Sequence, residues 1–296
     1  MANLKEVRKR ISSTISTQQI TKAMKLVSAT KLRKAQNGIM QMRPYAEKLQ
    51  NILVNLSGSV DENPQLQAYF KHNEVEKVLL VVISSDRGLC GGFNSNVVKT
   101  TRNLLNTTYK QHAAKGNVTL LFIGKKSYDY FKKLDLTANT RHMALMQNPT
   151  AENVFATAET IIADYLKGDY QEVRVIYNQF KNAATQIMQV EKMLPVEMER
   201  FETGEAKPFE ADYVFEPGKA DILADLVPRA VKTQLYKACL DSLASEHGAR
   251  MVAMDKATEN AGELLNTLKL EYNKARQAAI TNEISEIVGG AAALEG

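Results

Sequence analysis

The sequence predicts an α/β fold in which a small sheet domain is inserted between two long helices formed by the chain ends. Three observations carry that prediction. Glycine and proline are nearly absent from both ends, apolar residues recur there at steps of three and four, and the middle of the chain changes to short runs of Val, Ile and Leu. Between Met1 and Leu56 stand only Gly38 and Pro44; between Ala230 and Ile287 stand only Gly248 and Gly262, with no proline. Helices of that length extend about 80 Å each at ~1.5 Å per residue, longer than a compact domain is wide.

In the first helix Leu32, Ala35, Ile39, Met42, Ala46, Leu49, Leu53 and Leu56 alternate by three and four without a miss. The C-terminal helix is read in two pieces: Met254, Ala257, Ala261, Leu264 and Leu268, then Gln277, Ile280, Ile284 and Ile287. A sustained spacing of this kind keeps one narrow stripe against a partner helix, as in a left-handed coiled coil. Small residues on the stripe (Ala35, Ala46, Ala257, Ala261) allow close approach of the two axes, and Met24, Met40, Met42, Met251 and Met254 are read as seam packing. On this reading Gln277 is an amide in an apolar seam, and Pro44 bends the first helix by its clash with the carbonyl of Met40.

The middle reads as follows. Residues 77–85 and 117–124 are buried parallel strands; 94–113, 125–134 and 151–167 are the helices that follow strands; Glu172–Phe180 and 185–194 form a hairpin across Lys181, Asn182, Ala183 and Ala184. The expected division is a helical segment over 1–60, an α/β domain over 70–200, an irregular connector over 201–218 and a second helical segment over 219–290.

Composition narrows the function. The chain has 296 residues, 44% hydrophobic and 24% charged, enough apolar material for a core, so global disorder is excluded. The longest apolar run, Val78–Ile83, falls far short of the roughly 20 residues a membrane span requires. The first residues, MANLKEVRKRISST, are basic with no apolar stretch behind them, so no secretory signal is expected. Cys90 and Cys239 stand far apart, and His72, His112, His142 and His247 stand singly; neither set has metal-ligand or disulfide-framework spacing, which fits a reducing compartment. The net charge of +5 conceals an asymmetry, with eleven Lys and Arg against two acids in residues 1–60 and a net −4 over the rest. Such an arm signals an acidic partner or a solvated helix face. Nucleic acid fits poorly, because the first aromatic residue is Tyr45 and no base-stacking group accompanies the charges. Glu283 and Glu286 read as a solvated or partner-facing helix edge.

Ser84-Ser-Asp-Arg-Gly-Leu-Cys-Gly-Gly-Phe-Asn94 is the sharpest local feature, and three readings compete for it. It could be an anion-binding turn, although Gly88, Gly91 and Gly92 match neither the P-loop nor the dinucleotide spacing. It could be a nucleophile elbow with Cys90 in place of serine, with His112 or His142 as base, although four polar residues separate the apolar run from Gly88. Or it is structural, with glycines serving a tight turn and Cys90 a small buried hydrophobe, the reading the residues favour.

Several segments together resemble one family. Residues 19–34 (QITKAMKLVSATKLRK), Arg43-Pro-Tyr-Ala46, the 84–94 turn and residues 272–292 (YNKARQAAITNEISEIVGGAA) resemble, in order and over nearly the whole chain, the gamma subunits of rotary (F-type) ATP synthases. The resemblance implies an antiparallel coiled coil of the terminal helices with an inserted Rossmann-like α/β domain. It implies a rotor shaft of the proton-translocating enzyme that enters a hexamer of alpha and beta subunits, beside an epsilon subunit, on a membrane ring of c subunits. Catalysis in such enzymes lies on beta, so the resemblance implies no catalytic group, no cofactor, no metal and no nucleic acid for this chain. It ties Met24, Arg250, Gln277, Thr281 and Glu283 to coupling and to contacts with partners. With no extra cysteine-containing segment and no transit peptide, it further implies a bacterial enzyme, peripheral on the cytoplasmic face of the inner membrane. The runner-up is a Cys90-dependent hydrolase or amidotransferase on the α/β domain, with the helices as an oligomerisation handle.

Overall fold

The computed structural model describes residues 4–56, 64–70, 74–134, 136–196 and 218–295. Helix α1 covers Leu4–Leu56, with Pro44 inside it, and the last helix, α7, covers Lys219–Glu295, with Pro228 inside it. Between them come α2 (Pro64–Phe70), β1 (Val78–Ile83), α3 (Phe93–Asn106), α4 (Lys110–Ala114), β2 (Val118–Ile123), α5 (Lys125–Phe131), β3 (Thr137–Asn139), a 3-10 turn at Met143–Gln147, α6 (Ala151–Leu166), β4 (Glu172–Phe180) and β5 (Gln186–Leu194). The expected 201–218 connector lies, but for Gly218, outside the described residues. The chain divides into two compact units, one of residues 1–28 with 251–296 and one of residues 29–250, so each long helix contributes to both.

In the larger unit the five strands are ordered β3-β2-β1-β4-β5. β1 pairs in parallel with β2 and β4, β2 pairs in parallel with β3, and β5 returns antiparallel on β4. Every residue of β1 is buried, because both faces of the sheet are covered. One face carries Val78, Leu80, Val82, Leu120, Phe122 and Ile176 against Val97 and Leu105 of α3 and Phe131 of α5. The other carries Leu79, Val81, Ile83, Leu121, Val175 and Tyr177 against α2, α6, the early part of α7 and Leu49 of α1. Unbroken apolar strands rather than alternating ones are what a doubly covered parallel sheet requires. Of the seam expected for α1, Leu32, Ala35, Ile39, Met42 and Leu49 are buried and Ala46 is half-buried, while the side chains of Leu53 and Leu56 lie outside those described.

Three local features depart from the sequence reading. The single helix expected over 94–113 is two, α3 and α4. Thr107 leaves helical geometry (φ −112, ψ −83) and turns its hydroxyl back on Asn103 O at 2.7 Å, a bond that competes with helix continuation. α2 and β3 are too short to leave a periodic signal, and β3 is largely exposed.

The smaller unit pairs the start of α1 with the later part of α7. Lys25 Nζ meets Asp255 Oδ1 at 2.6 Å, and the hydroxyl of Thr258 donates to that of Thr21 at 2.8 Å. Gln18 Nε2 lies 3.2 Å from where Gly262 would carry a Cβ. As residue numbers fall on one helix they rise on the other, so the pairing is antiparallel. Carried onward, this register sets Ile11 at the level of Leu268, Val7 at Tyr272 and Leu4 at Ala275; Val7 and Leu268 are buried. The seam of α7 is therefore Met254, Thr258, Ala261, Leu265, Leu268, Tyr272 and Ala275. Leu264, read as a seam residue, is 51% exposed. Two adjacent leucines allow either phase, and the order of a three-step and a four-step decides which of them faces inward. Beyond Ala275 no described residue of α1 lies opposite, and Gln277, Ile280, Ile284 and Ile287 are exposed, not in a seam.

The β1–β2 edge depends on one glycine. Gly124 has φ +96, and a Cβ there would overlap the carbonyl of Ser84, while Ser84 itself bonds Ile123 O through its N–H and Ser127 through its hydroxyl. Gly124→Ala is therefore expected to destabilise the chain by about 3 kcal/mol or more, combining left-handed strain with a backbone clash. Thermal unfolding of the variant beside the parent checks this; a melting temperature within two or three degrees of the parent refutes it.

Candidate functional site

The 84–94 turn leaves β1 and enters α3. Its backbone is held by side chains. The hydroxyl of Ser85 donates to Arg87 O at 2.6 Å, and the amide of Asn94 accepts from Ser85 N at 3.1 Å and donates to Ser85 Oγ at 2.7 Å and to Cys90 Sγ at 3.2 Å. Cys90 is buried beside Phe93 and Ala249. Burial pushes its thiol pKa up, more than the contact with the Ser85 hydroxyl and the charge of Arg250 bring it down. A nucleophilic cysteine needs the opposite shift and an adjacent base. Neither candidate base is hydrogen-bonded to it: His112 Nε2 lies 2.9 Å from Val75 O, and His142 Nδ1 lies 3.2 Å from Thr157 Oγ1. The one strained residue of the turn is Leu89 (φ +62), not Cys90 as a nucleophile elbow would have it. The hydrolase or amidotransferase alternative thus finds no support, and the geometry favours the structural reading of the turn. Among the described residues no group of three or more His, Cys, Asp or Glu is placed to hold a metal ion.

Arg250 closes over the same turn from α7. Its Nη2 donates to Arg87 O at 3.1 Å and to Gly88 O at 3.3 Å, its Nε donates to Gly88 O at 3.3 Å, and its Nη1 meets Glu246 Oε1 at 2.8 Å and His247 Nδ1 at 3.3 Å. Because an arginine only donates, His247 accepts through Nδ1 and carries its proton on Nε2. Arg250 and Glu246 are 8% and 7% exposed. The sequence reading found Arg250 but missed Glu246 and His247; the available signal was the four-residue spacing of Glu246 and Arg250, which places them on one helix face.

The other residues tied to coupling by resemblance are elsewhere. Met24 is half-buried on α1, beside the exposed Lys22 and the Lys25–Asp255 pair. Gln277, Thr281 and Glu283 are exposed on the part of α7 that has no opposing helix among the described residues. Thr281 donates its hydroxyl to Gln277 O at 2.9 Å, so its side chain lies along the helix and both polar tips share a face. Near them Ile280, Ile284, Ile287 and Val288 are also exposed, Ile287 at 71%.

Burial first, and then the cations Arg250 and Lys31, depress the pKa of His247 from 6.5 to about 4. Glu246 is raised by burial, and only partly lowered again by Arg250 and Lys31. The signs differ. Between pH 6.5 and about 4 the unfolded chain protonates His247 while the folded chain does not, so this group makes stability fall with acidification. Glu246 takes its proton more readily when folded and opposes that fall at the acid end. His247→Gln keeps an acceptor for Arg250 and removes the titration. Its melting temperature is expected to decline less than the parent's from pH 6.5 to 4; parallel curves refute the assignment.

Comparison with known proteins gives this arrangement its context. A family model described as ATP synthase matches residues 3–294. The ATP synthase gamma chain of Flavobacterium johnsoniae is 54% identical over 296 residues, covering 100% of both chains. Among solved structures, a chain of the Tetrahymena thermophila mitochondrial ATP synthase central stalk/c-ring is 26% identical, with a TM-score of 0.56 over 80% of this chain and 99% of its own. A chain of the Euglena gracilis mitochondrial ATP synthase rotor shares the fold, at 21% identity and a TM-score of 0.62, over 94% of this chain and 98% of its own. With a family model across almost its whole length and a full-length relative above half identity, the chain belongs to the ATP synthase gamma-chain family.

Proposed function

We propose that the chain is the central rotor shaft of a proton-translocating ATP synthase, coupling rotation of a membrane c-ring to ATP synthesis or hydrolysis on beta subunits. Its partners are then the alpha and beta subunits around the paired helices, the epsilon subunit, and the c-ring. It works as a peripheral protein on the cytoplasmic face of the bacterial inner membrane, and it contributes no catalytic group of its own. The observation that carries this reading is the full-length identity with a gamma chain. Helix α7 supports it, since it continues past the last described residue of α1 with an exposed Ile280–Ile284–Ile287 stripe. No described helix is long and apolar enough to cross a membrane, in keeping with attachment through other subunits.

Met24, Gln277, Thr281 and Glu283 are the contacts through which the shaft meets its surroundings. Met24 stands in a basic stretch where acidic loops of a partner are attracted, and added cations there hinder release at each step. Gln277 and Thr281 supply exposed hydrogen-bonding groups on one face to a collar whose identity changes as the shaft turns. Arg250 differs, because its donors are all engaged within the chain.

Reconstitution of the chain with alpha, beta and the membrane sector tests the function directly. ATP-driven proton pumping should require the chain; pumping at the full rate without it overturns the rotor reading.

Gln277→Leu tests the contact. Gln277 is solvent-exposed and outside the helix seam, so the isolated chain should melt within about 0.5 kcal/mol of the parent. In the assembled complex, steady-state turnover should fall severalfold, because a hydrogen bond worth about 0.5–1.5 kcal/mol is lost at the collar. Unchanged turnover removes Gln277 from the contact set.

A further inference from the structure

The turn between β1 and α3 presents an unusual combination. Leu89 is a non-glycine residue in the left-handed region (φ +62), and at 64% exposure its side chain gains little from burial. A leucine is held in such a conformation only where its surroundings over-determine it. Those surroundings are specific. The carbonyls of the two residues just before it, Arg87 and Gly88, both accept from the guanidinium of Arg250. Arg250 is in turn fixed by Glu246 and His247 one turn earlier on α7. Directly after it comes Cys90, 2% exposed, tied to Asn94.

We propose that Arg250 is a positioning residue, a buried clamp that holds the Arg87–Leu89 turn in its strained form and fixes the outward presentation of Leu89. The planar fork of arginine suits the task, because it spans two successive carbonyls from one side while its other edge meets Glu246 and His247. Lysine, a single ammonium point, cannot hold both carbonyls and both anchors at once. The clamp lies within the chain and does not depend on the rotor reading. Its consequence does rest on that reading: Arg250 acts on coupling through the turn and not by touching another subunit.

The two cysteines provide the measurement, since Cys90 lies under the clamped turn and Cys239 is fully buried on α7. With a small maleimide under native conditions, Arg250→Lys should raise the modification rate of Cys90 at least tenfold and leave Cys239 protected. Adding Leu89→Gly, which removes the left-handed strain, should restore most of the protection of Cys90. An unchanged Cys90 rate, equal acceleration of both thiols, or no rescue by Leu89→Gly overturns the clamp. Leu89→Gly alone gives a second reading in a chain with the clamp intact: Cys90 stays protected and the melting temperature holds or rises. A fall of several degrees means Leu89 is not strained and overturns the proposal. In the assembled complex, Arg250→Lys and Leu89→Gly should each lower protons pumped per ATP. A normal ratio in both, beside the labelling result, rejects the route to coupling while the rotor reading keeps its own test.

Discussion

Strand β1 has no face to spare. All six of its residues are buried, so the sheet folds only if both of its sides are covered. One side is covered by α3 and α5, from the segment that follows the strand. The other needs α6 together with the early part of α7 and Leu49 of α1, so elements from opposite ends of the sequence are drawn into one core. Burying a Val, Leu or Ile side chain contributes on the order of 1.5–3 kcal/mol, and the long helices share in that gain, α7 through Leu223, Val227, Val231 and Leu235 and α1 through Leu49. The α/β unit is therefore the anchor of both helices, which explains why a chain built around paired helices carries a sheet at all.

Against that apolar background the Glu246–Arg250 pair stands out, since both charges are nearly out of water. Such pairs are weak stabilisers by themselves, and breaking one by removing a partner is costly, about 3–5 kcal/mol. Their usual value is specificity. Here the guanidinium meets main-chain carbonyls, so what it specifies is the path of a turn. That turn is also the segment whose glycines and cysteine suggested catalysis. The same features have a mechanical explanation: Cys90 is small because it sits beneath the turn, its thiol is pushed up by burial, and the left-handed residue is its neighbour.

Most of the fold was legible because its signals are long or unambiguous. The α1 seam from Leu32 to Leu49, the strand at Val78–Ile83 and the hairpin at Glu172–Phe180 all rest on period or on unbroken apolar runs, and each is where the pattern put it. The misreadings have physical reasons. Leu264 and Leu265 are equally apolar, so the phase of the seam depended on a partner register that no single helix carries. Gln277 followed the wrong phase and was placed in a seam that ends at Ala275. The Arg250 cluster was half legible: the residue was found by resemblance, but its partners are backbone carbonyls from Arg87 and Gly88, and contacts to main chain across 162 and 163 residues leave no trace in side-chain pattern.

The end of α7 poses a final physical problem. Its last 20 described residues face no other helix among the described residues, and they include Gly289 and Gly290, each about 1 kcal/mol less favourable in a helix than alanine. Most helical stability in proteins comes from packing an apolar face rather than from propensity. An apolar stripe of Ile280, Ile284, Ile287 and Val288 left in solvent adds nothing to offset that cost. This segment of α7 is a narrow rod with one face apolar and with Gln277 and Thr281 exposed beside it. A helix so composed gains stability from whatever sleeve surrounds it. If that sleeve turns relative to the rod, its contacts must be individually weak, because any strong directional bond would hold one orientation against the others. Gln277 and Thr281 are uncharged and meet that condition, while Glu283, three residues after Ile280 and four before Ile287, sets one exposed acid at the edge of the stripe.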